Sequence, residues 1–349
     1  MGTELERRCV KQPLRQGQEP VSQRGTERER MVAMPTEKDP NIAIHLEAER
    51  RLAALKKLDP IRLFVKKQDV LVEAGEHDVP VRIFFPSDRE QKEGVEEYRG
   101  GVLLFLHGGG WVTESVDTYE RICSLMARST GQLVLAVEYR RAPEHRFPVS
   151  LMDSYAAARA LYAGEIMPHI NPKDITLIGD SAGGNLTAAM VLLAREKKEF
   201  VPRRQILIYP ALWNDYSDAS PYPSVKENRE NLILSQKKLV SYLELYARTP
   251  QDRQSPLFAP LLTKETLRDM PDTLILTAQR DPLRDEGEAY AVRLREAGNR
   301  VFLHRIEEAP HGFFALGLKH IFVEESLEYI RSFLRFEEEG EEKAVIAGE

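Results

Sequence analysis

A serine flanked by glycines is the residue best placed for chemistry in this chain. It lies in the pattern Gly179-x-Ser181-x-Gly183, after the β-prone stretch Ile175–Ile178 and before an alanine- and leucine-rich stretch that starts at Leu186. This order predicts a strand, a very tight turn and a helix. Such a turn exposes the serine hydroxyl at the carboxyl end of the strand, above the helix N-terminus. A glycine-flanked serine in an ordinary loop is the alternative, and the flanking strand and helix favour a nucleophile.

A serine hydroxyl needs a histidine base, and the base needs a carboxylate that orients it. Among the 8 histidines, His311 is the one in a glycine-bordered loop after a late predicted strand, at the sheet end where Ser181 emerges. For the carboxylate, Asp281 directly follows a predicted strand, whereas Asp285 lies at a helix start, where capping is its ordinary role. The chain order Ser181, Asp281, His311 is typical of α/β-hydrolases. These residue types predict acyl transfer.

A glycine-rich stretch, His107-Gly108-Gly109-Gly110-Trp111, follows the continuous apolar stretch Gly101–Leu106. A plain loop and a nucleotide-binding fingerprint are the alternatives. The fingerprint is excluded because the spacing differs and no helix start follows immediately. Glycines let backbone amides approach a substrate oxygen closely, and an HGGG stretch after a central strand forms the oxyanion hole in one branch of lipases and esterases. His107 is interpreted as a structural hydrogen-bonding residue of this loop.

Strands and helices alternate along most of the chain, which predicts a mostly parallel sheet with helices on both faces. A charged loop is predicted over 87–100. An insertion, Ala211–Arg248, interrupts the alternation and should lie over the carboxyl end of the sheet. Its aromatic residues Trp213, Tyr216 and Tyr222 either line a substrate pocket or pack within the insertion. Strands are predicted over 69–73, 79–85, 101–106, 132–138, 175–178, 205–210, 273–277 and 300–306, and helices over 41–58, 119–129, 150–162, 186–195, 236–247, 286–297 and 323–336.

The composition of the 349 residues is that of an ordinary globular protein, with 42% hydrophobic and 30% charged residues. The net charge of −6 gives no basic surface for nucleic acid or an anionic membrane. No apolar stretch is long enough for a membrane span or a signal-peptide core, and the 2 cysteines, Cys9 and Cys123, are not placed for a structural disulfide. We therefore expect a cytoplasmic protein without stable membrane association. The sequence leaves a homodimer open.

Three regions are predicted along the chain. Residues 1–33 are polar and should be disordered. Residues 34–336 form the catalytic domain, with a helical cap built from about 38–66 and from 211–248. Residues 337–349 form an acidic tail that is expected to be solvated and disordered.

Several stretches together resemble the hormone-sensitive-lipase-like esterases, in particular the microbial branch with a Gly-Asp-Ser-Ala-Gly turn. The resemblance covers roughly Met34 to Phe336. It implies an α/β-hydrolase fold, the hydrolysis of small carboxylic esters with short acyl chains, and neither metal nor organic cofactor. It also assigns the oxyanion donors to the amides of Gly109, Gly110 and Ala182. The stretches that carry it are 107–111, 139–148, 179–185, 281–287 and 311–313.

One departure from this family is Arg280, which precedes Asp281 where the family usually has an apolar or aromatic residue. A guanidinium that pointed inward would compete with the imidazolium for the carboxylate.

Two other functions stay open: amide or carbamate cleavage by the same residues, and a non-catalytic small-molecule receptor, as in the gibberellin receptors that resemble these esterases. The intact set of Ser181, Asp281 and His311 disfavours a receptor. A long-chain lipase is disfavoured because the segment 214–229 is too polar for an apolar lid. The natural ester is open among acetylated sugars, aryl esters and short glycerides.

Overall fold

An eight-stranded sheet forms the centre of the computed structural model, which describes residues 40–55, 67–315 and 320–346. The strands are β1 Lys67–Glu73, β2 Asp78–Phe84, β3 Val102–Leu106, β4 Leu133–Val137, β5 Ile175–Asp180, β6 Arg204–Ile208, β7 Asp272–Arg280 and β8 Val301–Pro310. Their order across the sheet is β1-β2-β4-β3-β5-β6-β7-β8. β2 is antiparallel to both of its neighbours, and the six strands β3 to β8 run parallel to one another. The predicted α/β-hydrolase sheet is confirmed.

Helices cover this sheet in two layers, because β3 to β6 are buried along their whole length and need cover on both faces. α3 packs against α9 over one face, where their apolar side chains meet Phe105, Ile178 and Ile206 of the strands. α4 packs against α5. The helices are α1 Pro40–Leu55, α2 Asp88–Glu93, α3 Val116–Thr130, α4 Val149–Tyr162, α5 Ala182–Lys197, α6 Pro223–Glu227, α7 Gln236–Tyr246, α8 Arg284–Glu296 and α9 Ile321–Ile346.

Two segments that were expected to lack regular structure contain helices. The segment 87–100 was expected to be a charged loop, and it contains the short helix α2, whose first turn is capped by the Ser87 hydroxyl accepting the amide of Arg89. The last helix continues to Ile346 and so includes most of the segment 337–349, which was predicted as a solvated tail. Glutamate, lysine and alanine in this segment have good helix propensity, which the charge pattern alone does not weigh.

The first helix, α1, occupies most of the span predicted as a helix. Among its described side chains, Leu46 and Ala53 are buried, whereas the apolar residues Leu52 and Leu55 are exposed. The polar residues of α1 decide its orientation, since Arg50 donates to the carbonyls of Val112 and Ala142 at 3.1 and 3.0 Å. The predictions for 1–33 and for the cap over 38–39 and 56–66 lie outside the described residues. No helix in the described ranges is both long and apolar enough to cross a membrane.

Candidate active site

The tight turn between β5 and α5 holds Ser181 in the predicted position. Its backbone has φ 55° and ψ −117°, a conformation that non-glycine residues adopt only under constraint. The Ser181 amide donates to the Ile208 carbonyl at 2.9 Å, which ties the turn to β6. A Cβ atom at Gly183 would lie 1.9 Å from the Leu106 carbonyl oxygen, so only glycine allows α5 to approach β3 this closely.

The three residues predicted to carry the chemistry lie in one hydrogen-bonded row. The Ser181 hydroxyl is 2.9 Å from His311 Nε2, and His311 Nδ1 is 2.7 Å from Asp281 Oδ2. Asp281 is fully buried and its second oxygen accepts the Leu283 amide at 2.9 Å. His311 directly follows the last residue of β8, and Asp281 directly follows the last residue of β7. The neighbouring parallel strands β7 and β8 therefore place the acid and the base side by side at the carboxyl end of the sheet.

The other two side chains near Asp281 point elsewhere. Asp285 accepts the Ser224 amide at 2.7 Å and so ties the start of α8 to α6 in the insertion. Arg280 forms an ion pair with Glu308 in which both side chains are more than 60% exposed, at 64% and 63%. Its guanidinium therefore lies in solvent and does not compete with His311 for the carboxylate of Asp281.

Residues 109–111 of the stretch 107–111, which we name the oxyanion loop after its predicted role, border the same cavity as Ser181 and His311. This cavity has a volume of about 300 Å³, and Gly109, Gly110 and Ala182 line it. Ala182 is the first residue of α5, and amides in the first turn of a helix have no acceptor within the helix. The ring of His107 lies outside the cavity lining, and its Nδ1 donates to the Gly108 carbonyl at 2.8 Å, as a structural residue of the loop would.

The insertion supplies the opposite wall of the cavity through α7 and the segment before it. Tyr242 of α7 packs on the oxyanion loop so closely that a Cβ atom at Gly110 would lie 2.2 Å from its ring. Glu49 of α1 accepts the Tyr242 hydroxyl at 3.1 Å and pairs with Lys238 at 3.0 Å, which joins the two predicted cap segments. Ile233, Leu234 and Leu239 complete this wall.

The aromatic residues that sequence analysis singled out in the insertion do not line the cavity. Trp213 and Tyr222 pack edge to face with their ring centroids 5.6 Å apart, and the Tyr216 hydroxyl donates to Glu286 at 2.9 Å. Packing within the insertion, which was one of the two interpretations, is observed for Trp213 and Tyr222, whereas Tyr216 is bonded to Glu286 of α8 outside the insertion. Tyr242 was missed because it lies within an ordinary amphipathic helix pattern.

Two buried carboxyl groups beside the site were also missed by sequence analysis. Burial raises the pKa of Asp180 to about 6, although hydrogen bonds from Tyr119 and from the Gly108 amide favour its ionised form. Burial likewise raises the pKa of Glu286 to about 8 against the opposing bonds from Leu212 and Tyr216. Both residues lie within stretches that carried the family resemblance, which was the available signal.

The raised pKa of Glu286 predicts how stability depends on pH. Below about pH 4.5 the group is protonated in both the folded and the unfolded chain. Between about pH 4.5 and 8 the unfolded chain releases the proton that the folded chain retains, so the free energy of unfolding falls as the pH rises. Glu286→Gln removes this titration and keeps an oxygen that accepts the amide of Leu212. We expect the free energy of unfolding, measured with urea, to fall less steeply with pH for this variant than for the wild type. An equally steep fall would contradict the prediction.

Comparisons with known proteins agree with this geometry. Residues 103–315 match a protein-family model described as the alpha/beta hydrolase fold. An arylesterase of Saccharolobus solfataricus is 34% identical, over 70% of this chain and 76% of that protein. An ethyl acetate hydrolase of Pseudomonas putida is 36% identical, over 69% of this chain and 73% of that protein.

Solved structures resemble the chain over most of its length. A hyperthermophilic esterase from the archaeon Pyrobaculum calidifontis superimposes with a TM-score of 0.72 at 30% identity, over 84% of this chain and 90% of that one. The chain therefore belongs to the α/β-hydrolase family, in which it is a carboxylic ester hydrolase of the hormone-sensitive-lipase-like type.

Proposed function

We propose that this protein hydrolyses short-chain carboxylic esters in two steps through an acyl-enzyme on Ser181. His311 takes the proton of the Ser181 hydroxyl as the oxygen attacks the ester carbonyl, and returns it to the departing alcohol. Asp281 holds the imidazole with Nδ1 protonated and stabilises the imidazolium. Water then attacks the acyl group with the same base and releases the acid.

The amides of Gly109, Gly110 and Ala182 are proposed to bind the oxygen that becomes negative in each tetrahedral intermediate. Backbone amides that are already oriented cost no rearrangement when the charge develops, so they favour the transition state over the ester. The N-terminus of α5 beneath Ser181 carries a partial positive charge, which also stabilises the negative oxygen.

The row of hydrogen bonds from Ser181 through His311 to Asp281 is the observation that carries this proposal. The 2.9 Å distance between the Ser181 hydroxyl and His311 Nε2 fits proton transfer between them, and the 2.7 Å bond from His311 Nδ1 to Asp281 fits a carboxylate that orients the imidazole. The row opens into the same cavity as the three proposed amides. A receptor that only binds its ligand has no use for a base between the serine and a buried carboxylate.

The preference for short chains is supported by the size of the cavity and by its wall. The acyl part and the alcohol part of the ester must both fit within a volume of about 300 Å³. Tyr242 is held against Gly110 on one side and by Glu49 on the other, so the wall does not yield easily to a longer chain. The relative from Pseudomonas putida is named for ethyl acetate, a small ester.

A panel of p-nitrophenyl esters from acetate to laurate tests this function. We expect kcat/KM to be highest from acetate to hexanoate and to be at least about tenfold lower for laurate, because forcing extra methylenes into a packed site costs roughly 1–3 kcal/mol. The matched p-nitroanilides test the amidase alternative on the same acyl groups. A maximum at laurate, or faster cleavage of the anilides than of the esters, would contradict the proposal.

A further inference from the structure

A buried carboxylate outside the candidate triad, that of Asp180, lies where three parts of the site meet. Asp180 is the last residue of β5, directly before Ser181, and it is 1% exposed. Its oxygen Oδ2 accepts the hydroxyl of Tyr119 at 2.9 Å and the hydroxyl of Tyr209 at 3.3 Å. The backbone of Gly108 lies close to the same oxygen, since a Cβ atom at Gly108 would lie 2.8 Å from Oδ2.

One side of this contact reaches the oxyanion loop. Gly108 belongs to that loop, and Tyr119 lies on α3, the helix that follows it. Tyr119 donates to Oδ2 and the backbone of Gly108 lies against the same oxygen, so these two contacts hold the oxyanion loop above the end of β5. Gly109 and Gly110, whose amides are the proposed oxyanion donors, come next along the chain.

The other side reaches the residues 311–315, which we name the histidine loop. The Tyr209 hydroxyl donates to Asp180 and accepts the amide of Phe314 at 3.1 Å. The Tyr209 ring also packs on His311 with the ring centroids 4.8 Å apart. Tyr209 therefore links Asp180 to the loop that contains His311.

We propose that Asp180 is a positioning residue, which sets the oxyanion loop and the histidine loop at fixed distances from Ser181. This role rests on the proposed function of the Ser181 site. The carboxylate has no hydrogen bond to His311 among the described residues, and it acts through Tyr119, Tyr209 and its close contact with Gly108. Without a common acceptor the two loops shift independently, and small errors in reacting distances reduce the rate of the chemical step more than substrate binding.

The chain offers substitutions that separate this role from simple folding support. Asp180→Leu keeps the number and branching of the side-chain heavy atoms and removes the acceptor. Asp180→Asn keeps an oxygen for the hydroxyls of Tyr119 and Tyr209 and places its NH₂ group at Oδ1, which has no hydrogen-bond partner among the described residues. Tyr209→Phe breaks only the link to the histidine loop. Tyr290→Phe is the matched control, because Tyr290 is equally buried and its hydroxyl has no partner in the described part of the chain.

We expect Asp180→Leu to lower kcat for p-nitrophenyl butyrate by about ten- to a hundredfold, as losses of supporting hydrogen bonds do at other sites, with KM little changed. Asp180→Asn should recover most of that loss. Tyr209→Phe should lower kcat by about tenfold and should add little to the loss in Asp180→Leu, because both remove the same link. Tyr290→Phe should have no such effect.

Folded Asp180→Leu protein with wild-type kcat would overturn the positioning role, and so would equal losses in Tyr209→Phe and Tyr290→Phe. If Asp180→Leu fails to fold, the comparison of the two tyrosine variants decides alone. Ser181→Ala separates the two proposals. Normal turnover in that variant contradicts the proposed function, whereas an inactive Ser181→Ala together with a fully active Asp180→Leu contradicts only the role of Asp180.

Discussion

Ser181→Ala should lower kcat for p-nitrophenyl esters by about six orders of magnitude, the loss seen when the nucleophile of a comparable triad is removed. The substitution deletes the hydroxyl that lies 2.9 Å from His311 Nε2. It leaves the strained turn in place, because the backbone bond from residue 181 to Ile208 does not involve the side chain. The melting temperature should therefore stay close to that of the wild type.

Ser154→Ala provides a matched control for this measurement. Ser154 is fully buried on α4, and its hydroxyl donates only to the Ser150 carbonyl, one turn earlier, among the described contacts. We expect its ester turnover to equal that of the wild type. Substantial turnover by a pure Ser181→Ala preparation would show that another group attacks the ester.

Asp281→Asn should lower kcat by about four orders of magnitude, because an amide at this position favours the wrong tautomer of the histidine in a comparable triad. The carboxylate of Asp281 is the one that accepts His311 Nδ1, at 2.7 Å. Asp285→Asn is the matched comparison from the same stretch. It should cost far less, because Asp285 accepts the amide of Ser224 in the insertion and not the base. Steady-state kinetics with p-nitrophenyl butyrate would compare the two, and a reversed order of effects would contradict the assignment.

The sheet and the triad could be predicted from the sequence because each depends on a local signal. The strand before Ser181 and the helix after it define the turn, and the parallel sheet places the ends of β7 and β8 side by side. Asp281 and His311 each follow the end of one of these strands. Chain order and sheet topology together leave little choice for the base and the acid.

The wall of the cavity could not be predicted, because it depends on contacts between distant segments. Tyr242 becomes part of the site only when α7 packs on Gly110, and Glu49 matters only once α1 reaches Tyr242. The exposure of Leu52 and Leu55 follows from the same cause. The apolar positions of a helix do not show which side of it will face the rest of the protein. In α1 the orientation is set by polar residues such as Arg50, which donates to a carbonyl far along the chain.

The buried acids illustrate a second limit of sequence reasoning. Apart from their place in stretches that resemble the esterase family, Asp180 and Glu286 carry no signal that separates them from surface carboxylates until the fold buries them and surrounds them with donors. Glu286 then holds the start of the insertion by accepting the amide of Leu212 at 2.6 Å, while Asp180 holds the two loops around Ser181. Such residues act through their neighbours, so their types and spacing reveal nothing about the reaction.

Covalent labelling with a p-nitrophenyl alkylphosphonate tests the central claim most directly, since the phosphonyl group forms a stable adduct with an activated serine. We expect the release of p-nitrophenol to match the number of enzyme molecules, the esterase activity to disappear in parallel, and peptide mass spectrometry to locate the phosphonyl group on Ser181. The Ser181→Ala variant should remain unlabelled. An adduct on any other residue that accounts for the lost activity would contradict the proposal that Ser181 is the nucleophile.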